Sequence, residues 1–195
     1  MRYRLLVPCM AALLLLGSIC EEGVPPREWE RGFFEPIQTT PNDLPSDLDV
    51  SRIVGYEDEL LTSPMPLQMS VRNDGDKRVT DVMPAGLVFS PGHPDYAYMI
   101  LLQDFSFTVP ALKDTVLLIP TYNCNEDLDE PDEEGVFYID DRAWDLEMKE
   151  MYDLVAGKTL VDTIVFLDEI QDALWEITDG DGLTDSTRAW LKGLK

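Results

Sequence analysis

His93 is the only histidine in this chain of 195 residues, so any Ser-His-Asp or Cys-His relay has to be built on it. It stands between Gly92 and Pro94 in a turn, with no nucleophile elbow, phosphate-cradling glycine loop or Cys/His metal cluster beside it. Carboxylates are plentiful, 38 in all, so an acidic hydrolase working through a carboxylate pair stays open as an enzyme alternative. Spacing singles out no such pair, and the expected catalytic set is none. Thiols are scarce. Cys9 and Cys20 both fall in the N-terminal segment, which leaves Cys124 as the single ordinary thiol expected after processing. No intramolecular disulfide can then form, and an unpaired cysteine in an oxidising compartment is explained by burial, by an intermolecular bridge or by reactivity. Burial is the simplest of the three, because free cysteine packs as a small apolar group.

Oxygen ligands gather in Thr178-Asp179-Gly180-Asp181-Gly182-Leu183-Thr184-Asp185. This run resembles the Asp-Gly-Asp-Gly core of EF-hand-like loops such as those of dockerins, and the resemblance implies calcium held by Asp179, Asp181 and Asp185. With Asp181-Gly182 at the loop's fifth and sixth positions, the first falls on Ile177 and the last on Arg188, so two charged ligands are missing. The same residues also make a tight turn that ends one helix and caps the next, with Asp185 or Ser186 as N-cap. Ligand charge sets calcium affinity, which favours the turn.

A further pattern joins Cys124 to Ile170-Gln171-Asp172-Ala173-Leu174-Trp175. It resembles the thioester domains of bacterial surface adhesins, where a cysteine following an aromatic residue meets the glutamine of a Thr-Gln-x-Ala-x-Trp segment. Gln171, Ala173 and Trp175 match, Ile170 stands in place of the threonine, and Tyr122-Asn123-Cys124 has one residue more between aromatic and cysteine. The resemblance implies attack of the Cys124 thiolate on the Gln171 amide, loss of ammonia, and a thioester able to capture an amine on a host or neighbouring cell. Without that chemistry, Ala173, Leu174 and Trp175 are residues that any helix packed on a sheet uses, and Gln171 caps a strand edge or faces water.

The elements that must position these groups follow from periodicity. Residues 1–20 read as an export signal: Arg2 and Arg4, an apolar run too short to span a bilayer comfortably, then small residues ending at Cys20. Cleavage before Cys20 would expose it for lipidation, although Ile19 replaces the small residue usual there; cleavage after Cys20 would give plain secretion. Residues 21–60 contain Pro25, Pro26, Pro36, Pro41 and Pro45 and read as an extended tether, with Trp29, Phe33, Phe34 and Ile37 available to dock. Residues 61–140 read as strands. Leu67, Met69 and Val71 alternate with Gln68, Ser70 and Arg72 before a hairpin-type turn at Asn73-Asp74-Gly75-Asp76, and further short strands are predicted over 79–83, 85–89, 96–102, 105–109, 114–122 and 136–139. The tract 123–134 is too acidic to be anything but a solvated loop between ordered elements unless a cation neutralises it. Residues 141–195 turn helical. Asp140 or Asp141 is the expected first N-cap, Trp144, Met148, Met151 and Val155 share a face, Gly157 stops that helix, a second helix carries Ile164 to Ile177, and a short third runs over 186–194. The expected fold is α+β: an antiparallel immunoglobulin-like β-sandwich with two or three C-terminal helices packed on it.

A formal net charge of −23 repels phosphate backbones and anionic headgroups. It argues against nucleic acid as a partner and leaves membrane attachment to an N-terminal lipid. Together these features predict an exported cell-envelope or secreted protein with a non-catalytic binding or assembly role toward a surface protein or glycan. Its rivals are the covalent adhesin using Cys124 and Gln171, and the acidic hydrolase.

Overall fold

The computed structural model describes residues 44–57, 63–160 and 164–195. The expected export signal with Cys20, and most of the expected tether, lie outside the described residues. Among those described, nine strands precede three helices: β1 (Leu48–Gly55), β2 (Leu67–Asn73), β3 (Val79–Met83), β4 (Leu87–Pro91), β5 (Met99–Leu101), β6 (Phe105–Val109), β7 (Asp114–Ile119), β8 (Thr121–Asn123), β9 (Phe137–Arg142), α1 (Leu146–Val155), α2 (Ile164–Thr178) and α3 (Asp185–Gly193). All pairings between these strands are antiparallel. The class is α+β.

Three sheets form, ordered β1-β2-β7, β3-β6 and β8-β5-β4-β9. β2 shows how pattern becomes placement: Leu67, Met69 and Val71 are buried while Arg72 is exposed, so one face of this strand looks inward. Those side chains join Ile53, Met83, Phe107, Val109 and Ile119 in one apolar cluster. The four-stranded sheet closes that cluster from the opposite side with Leu87, Phe89, Met99, Leu101 and Phe137, giving a sandwich-like layout. Its other face supplies Val88, Ile100, Leu102, Tyr122 and Cys124 to a second cluster shared with the helices. The four-stranded sheet is therefore a middle layer. Double-sided burial explains why Leu87-Val88-Phe89 and Met99-Ile100-Leu101-Leu102 are unbroken apolar runs rather than alternating ones. Truncating a fully buried Phe89 to alanine should cost about 3–5 kcal/mol.

Several expectations are corrected here. β1 lies inside the stretch assigned to the tether, because the proline-rich composition ends at Pro45 and the following residues pair along β2 from Leu48↔Asn73 to Gly55↔Leu67. Gly55 is needed at its end: a Cβ there would sit 2.3 Å from the Pro131 carbonyl carbon, where the Gly55 amide donates to the Asp132 carbonyl at 2.8 Å. The turn at Asn73 makes no hairpin, since β2 pairs with β1 and β7, and β3 pairs with β6 instead. Asn73 is buried and donates through Nδ2 to the Lys77 and Val109 carbonyls, fixing a crossing between sheets. The strand expected over 96–102 is confined to Met99–Leu101.

The helices close the third layer. Asp145 is the N-cap of α1, its Oδ1 accepting from the amides of Glu147 at 2.9 Å and Met148 at 3.0 Å; Asp140 and Asp141 instead belong to β9, which runs on to pair Arg142 with Leu87. Met148, Met151 and Val155 are buried as expected, and Gly157 follows the helix end at φ +68°. Trp144 lies before the helix and stacks on Tyr152, with ring centroids 5.7 Å apart. Arg188 of α3 grips Glu150 of α1 through two bonds of 2.9 and 3.1 Å.

Candidate functional site

β8 is an edge strand of the middle sheet, paired only with β5 inside that sheet. Its residues alternate in where their backbone groups point. The Cys124 amide donates inward to the Tyr98 carbonyl at 2.9 Å, whereas the amide and carbonyl of Asn123 point outward, where a further strand would have to meet them. α2 meets them with one side chain. The Asn123 amide donates to Gln171 Oε1 at 2.9 Å, and Gln171 Nε2 donates to the Asn123 carbonyl at 2.7 Å. Gln171 is only 3% exposed, so both bonds form away from water. A primary amide suits this place because it carries a donor and an acceptor side by side, as a strand backbone does. Of the roles the sequence allowed Gln171, strand-edge cap is the one this geometry displays.

The structure brings Cys124 and Gln171 together to this extent: Gln171 holds the residue immediately before the cysteine. The Cys124 side chain is fully buried in the cluster containing Ile170, Ala173 and Leu174, neighbours of Gln171 on α2. Cys124 is unpaired. Burial, and secondarily the charge of Asp179, push its thiol well above the usual range, so the neutral thiol is the resting form. His93 does not serve it. That ring is exposed in its turn, where Nδ1 lies 3.4 Å from an Asp95 carboxylate oxygen.

Polar residues of the loop after β8 complete the surroundings. Asn125 is 2% exposed, donates its amide to Asn123 Oδ1 at 2.6 Å, and accepts from the Tyr98 amide at 3.0 Å through Oδ1. Sequence reasoning missed Asn123 and Asn125. Their signal was present: two asparagines flanking a cysteine, directly after an apolar strand, are polar groups that burial forces into specific bonds.

Asp179, Asp181 and Asp185 are not gathered. Among the described residues no group of three or more His, Cys, Asp or Glu is placed to hold a metal ion. Asp179 accepts from the Thr178 hydroxyl at 2.9 Å and the Glu126 amide at 3.4 Å, while Asp185 begins α3 and lies 3.5 Å from Arg188. Gly182 adopts φ +96°, and the N-cap of α3 is Thr184, one residue before the expected Asp185 or Ser186. Its neighbour in the cap is Glu176, which accepts from the Thr184 amide at 2.7 Å and the Thr187 hydroxyl at 2.6 Å. In the acidic tract, Asp132 is held by the amides of Gly135 and Glu134, each at 2.8 Å, and by the Tyr96 hydroxyl at 2.9 Å. Those donors, the Gly135 amide foremost, lower its carboxyl below the usual range against an opposing desolvation effect.

One cleft had no counterpart in the sequence reading. It encloses about 430 Å³ between the sheet and α1, with Gln103, Asp104, Arg142, Trp144, Asp153 and Lys158 on its walls. Arg142 is pinned there, donating twice to the Ala85 carbonyl and lying 4.3 Å over the Trp144 ring. Compared with known proteins, the chain matches no family model, no curated protein and no solved structure.

Proposed function

We propose that this is an exported cell-envelope or secreted protein that acts by binding or assembly rather than by turnover, on an immunoglobulin-like sandwich carrying its helices on one side. The cleft at Arg142 is what supports binding: a guanidinium locked by two hydrogen bonds and an aromatic ring is already organised for a partner and loses little freedom on contact. Asp104 and Asp153 on the same walls supply acceptors, a mixture suited to a surface protein or glycan and unsuited to nucleic acid. Export rests on the composition of residues 1–20, with membrane attachment only through a lipid on Cys20. Cell fractionation of the full chain tests this. Recovery in the envelope or medium, with the N-terminus at or just after Cys20, is expected; recovery in the cytosol with Met1 in place refutes it.

A second reading, the covalent adhesin, is favoured by one observation: the two-point hold of Gln171 on Asn123, next to a fully buried thiol. Intact mass separates the readings. A deficit of one ammonia, abolished by Cys124→Ala, supports the thioester, whereas full mass with one titratable thiol after unfolding leaves the non-covalent binder.

A further inference from the structure

Most polar groups lining the cleft between the sheet and α1 are engaged within the chain. Asp104 accepts from the Ala85 amide at 2.8 Å, Asp153 accepts from Lys149 at 2.7 Å, and Lys158 Nζ donates to the Leu194 carbonyl at 2.7 Å. Gln103 Nε2 donates to the carbonyls of Val155 and Lys158. Arg142 is the exception. The Ala85 carbonyl takes two of its N–H groups, from Nε at 3.0 Å and from Nη2 at 2.6 Å. Those two donors form one edge of the planar guanidinium fork. The other edge, made by Nη1 and the second Nη2 hydrogen, has no partner among the described residues, and none of their carboxylates forms an ion pair with Arg142. The plane of the fork is fixed, since the guanidinium lies 4.3 Å over the Trp144 ring.

We infer that the open edge of Arg142 binds a carboxylate of a partner polypeptide, a chain end or an acidic side chain, with two oxygens against two N–H groups. The inference rests on the reading of this cleft as the binding site. Charge on the walls favours an anion. Lys149 offsets Asp153, so Arg142 and Lys158 are set against Asp104 alone, a local positive excess in a chain of net charge −23. A carboxylate adds one negative charge near Asp104, whereas a phosphate adds up to two and is repelled more. A sugar acid would carry the same planar group, but a pyranose is usually seated on an open aromatic face. The Trp144 ring is stacked with Arg142 and Tyr152 and packed against the helical cluster, so it offers no such platform. Gln103 adds an acceptor suited to a peptide N–H: its Nε2 is held by two carbonyls while its Oε1 has no partner among the described residues.

The test titrates purified, isotope-labelled processed protein with acetyl-Gly-Gly as the free acid and as its C-terminal amide, following the Arg142 Nε–H and Trp144 indole signals by NMR. The acid should shift both signals at millimolar concentration, and the amide should bind about tenfold more weakly or worse. Arg142→Lys keeps the charge without the fork and should weaken the acid by about tenfold. Because Arg142 also holds Ala85, a second pair of variants leaves it intact. Ala156 is an exposed lining residue just after α1; Ala156→Glu should weaken the acid by roughly fivefold or more through like charge, and Ala156→Gln should not. Should neither probe bind, the cleft is not the binding site and the inference falls with that reading. Should acid and amide bind alike, or Ala156→Glu and Ala156→Gln behave alike, the cleft reading stands and the carboxylate assignment is overturned. Should glucuronate or inorganic phosphate bind more tightly than the acid, the partner is not a polypeptide carboxylate.

Discussion

Replacing Gln171 by methionine is the sharpest probe of how α2 is attached to the sheet. The substitution keeps an unbranched side chain of similar length and removes both bonds to Asn123, at 2.9 and 2.7 Å. At 3% exposure water does not replace them readily, so one backbone donor and one backbone acceptor are left unmatched. At about 1–3 kcal/mol for each orphaned group, the loss should be about 2–6 kcal/mol. Urea unfolding, with both proteins in a Cys124→Ala background so that thiol chemistry does not contribute, should show the midpoint lowered by roughly 1–3 M for a slope near 2 kcal/mol/M. Gln171→Glu adds a pH signature. Burial and the facing Asn123 carbonyl oxygen both oppose ionisation, so the folded pKa of the new carboxyl is raised above its unfolded value. Relative to wild type, this variant's deficit should be smallest below the ordinary glutamate range, near pH 4, and grow as pH rises through the folded value. A Gln171→Met loss below about 0.5 kcal/mol, the size of an ordinary surface change, would show that the clamp does not hold the layers together.

Other consequences are simpler to state. Asp145→Ala removes the cap that accepts from Glu147 and Met148, and should cost about 1–2 kcal/mol by chemical denaturation; an unchanged midpoint would contradict it. Because the Asp132 carboxyl is depressed by its amide and tyrosine donors, its stabilising effect is present above the unfolded aspartate pKa and is lost as pH falls through the folded value. Thermal melts from about pH 5 to about pH 2 should therefore show a shallower acid decline in Asp132→Asn than in wild type, and parallel curves would refute the assignment. Calcium at millimolar level should leave the melting temperature where a chelator leaves it, since Asp179 is engaged by the Thr178 hydroxyl and the Glu126 amide while Asp185 faces Arg188; an upward shift would revive the loop as a metal site.

Strand alternation and helical spacing were legible because they record local burial. Leu67, Met69 and Val71 face one cluster, and Met148, Met151 and Val155 another, as their spacing implies. Pairing was not legible. The Asn73 turn carries the composition of a hairpin, yet the buried Asn73 side chain bonds to Lys77 and Val109 and diverts the chain to another sheet. Helix caps moved by a few residues for a similar reason: Asp140 and Asp141 are good cap types, but strand pairing with β4 extends through Arg142 and displaces the start of α1 to Asp145. For the candidate site, Cys124 and Gln171 stood out by residue type, whereas Asn123 and Asn125 did not, because their importance arises from being buried at an edge.

The sequence by itself determined the class of elements, the single thiol of the described chain and the acidic character, since each depends on residue type and short-range period. Tertiary structure decided which strands neighbour one another, that the middle sheet is covered on both faces, and that Gln171 meets the residue before Cys124 across 48 positions. The physical reason is that a hydrogen bond between distant segments is specified by which backbone groups remain unmatched after folding, and no local pattern encodes that.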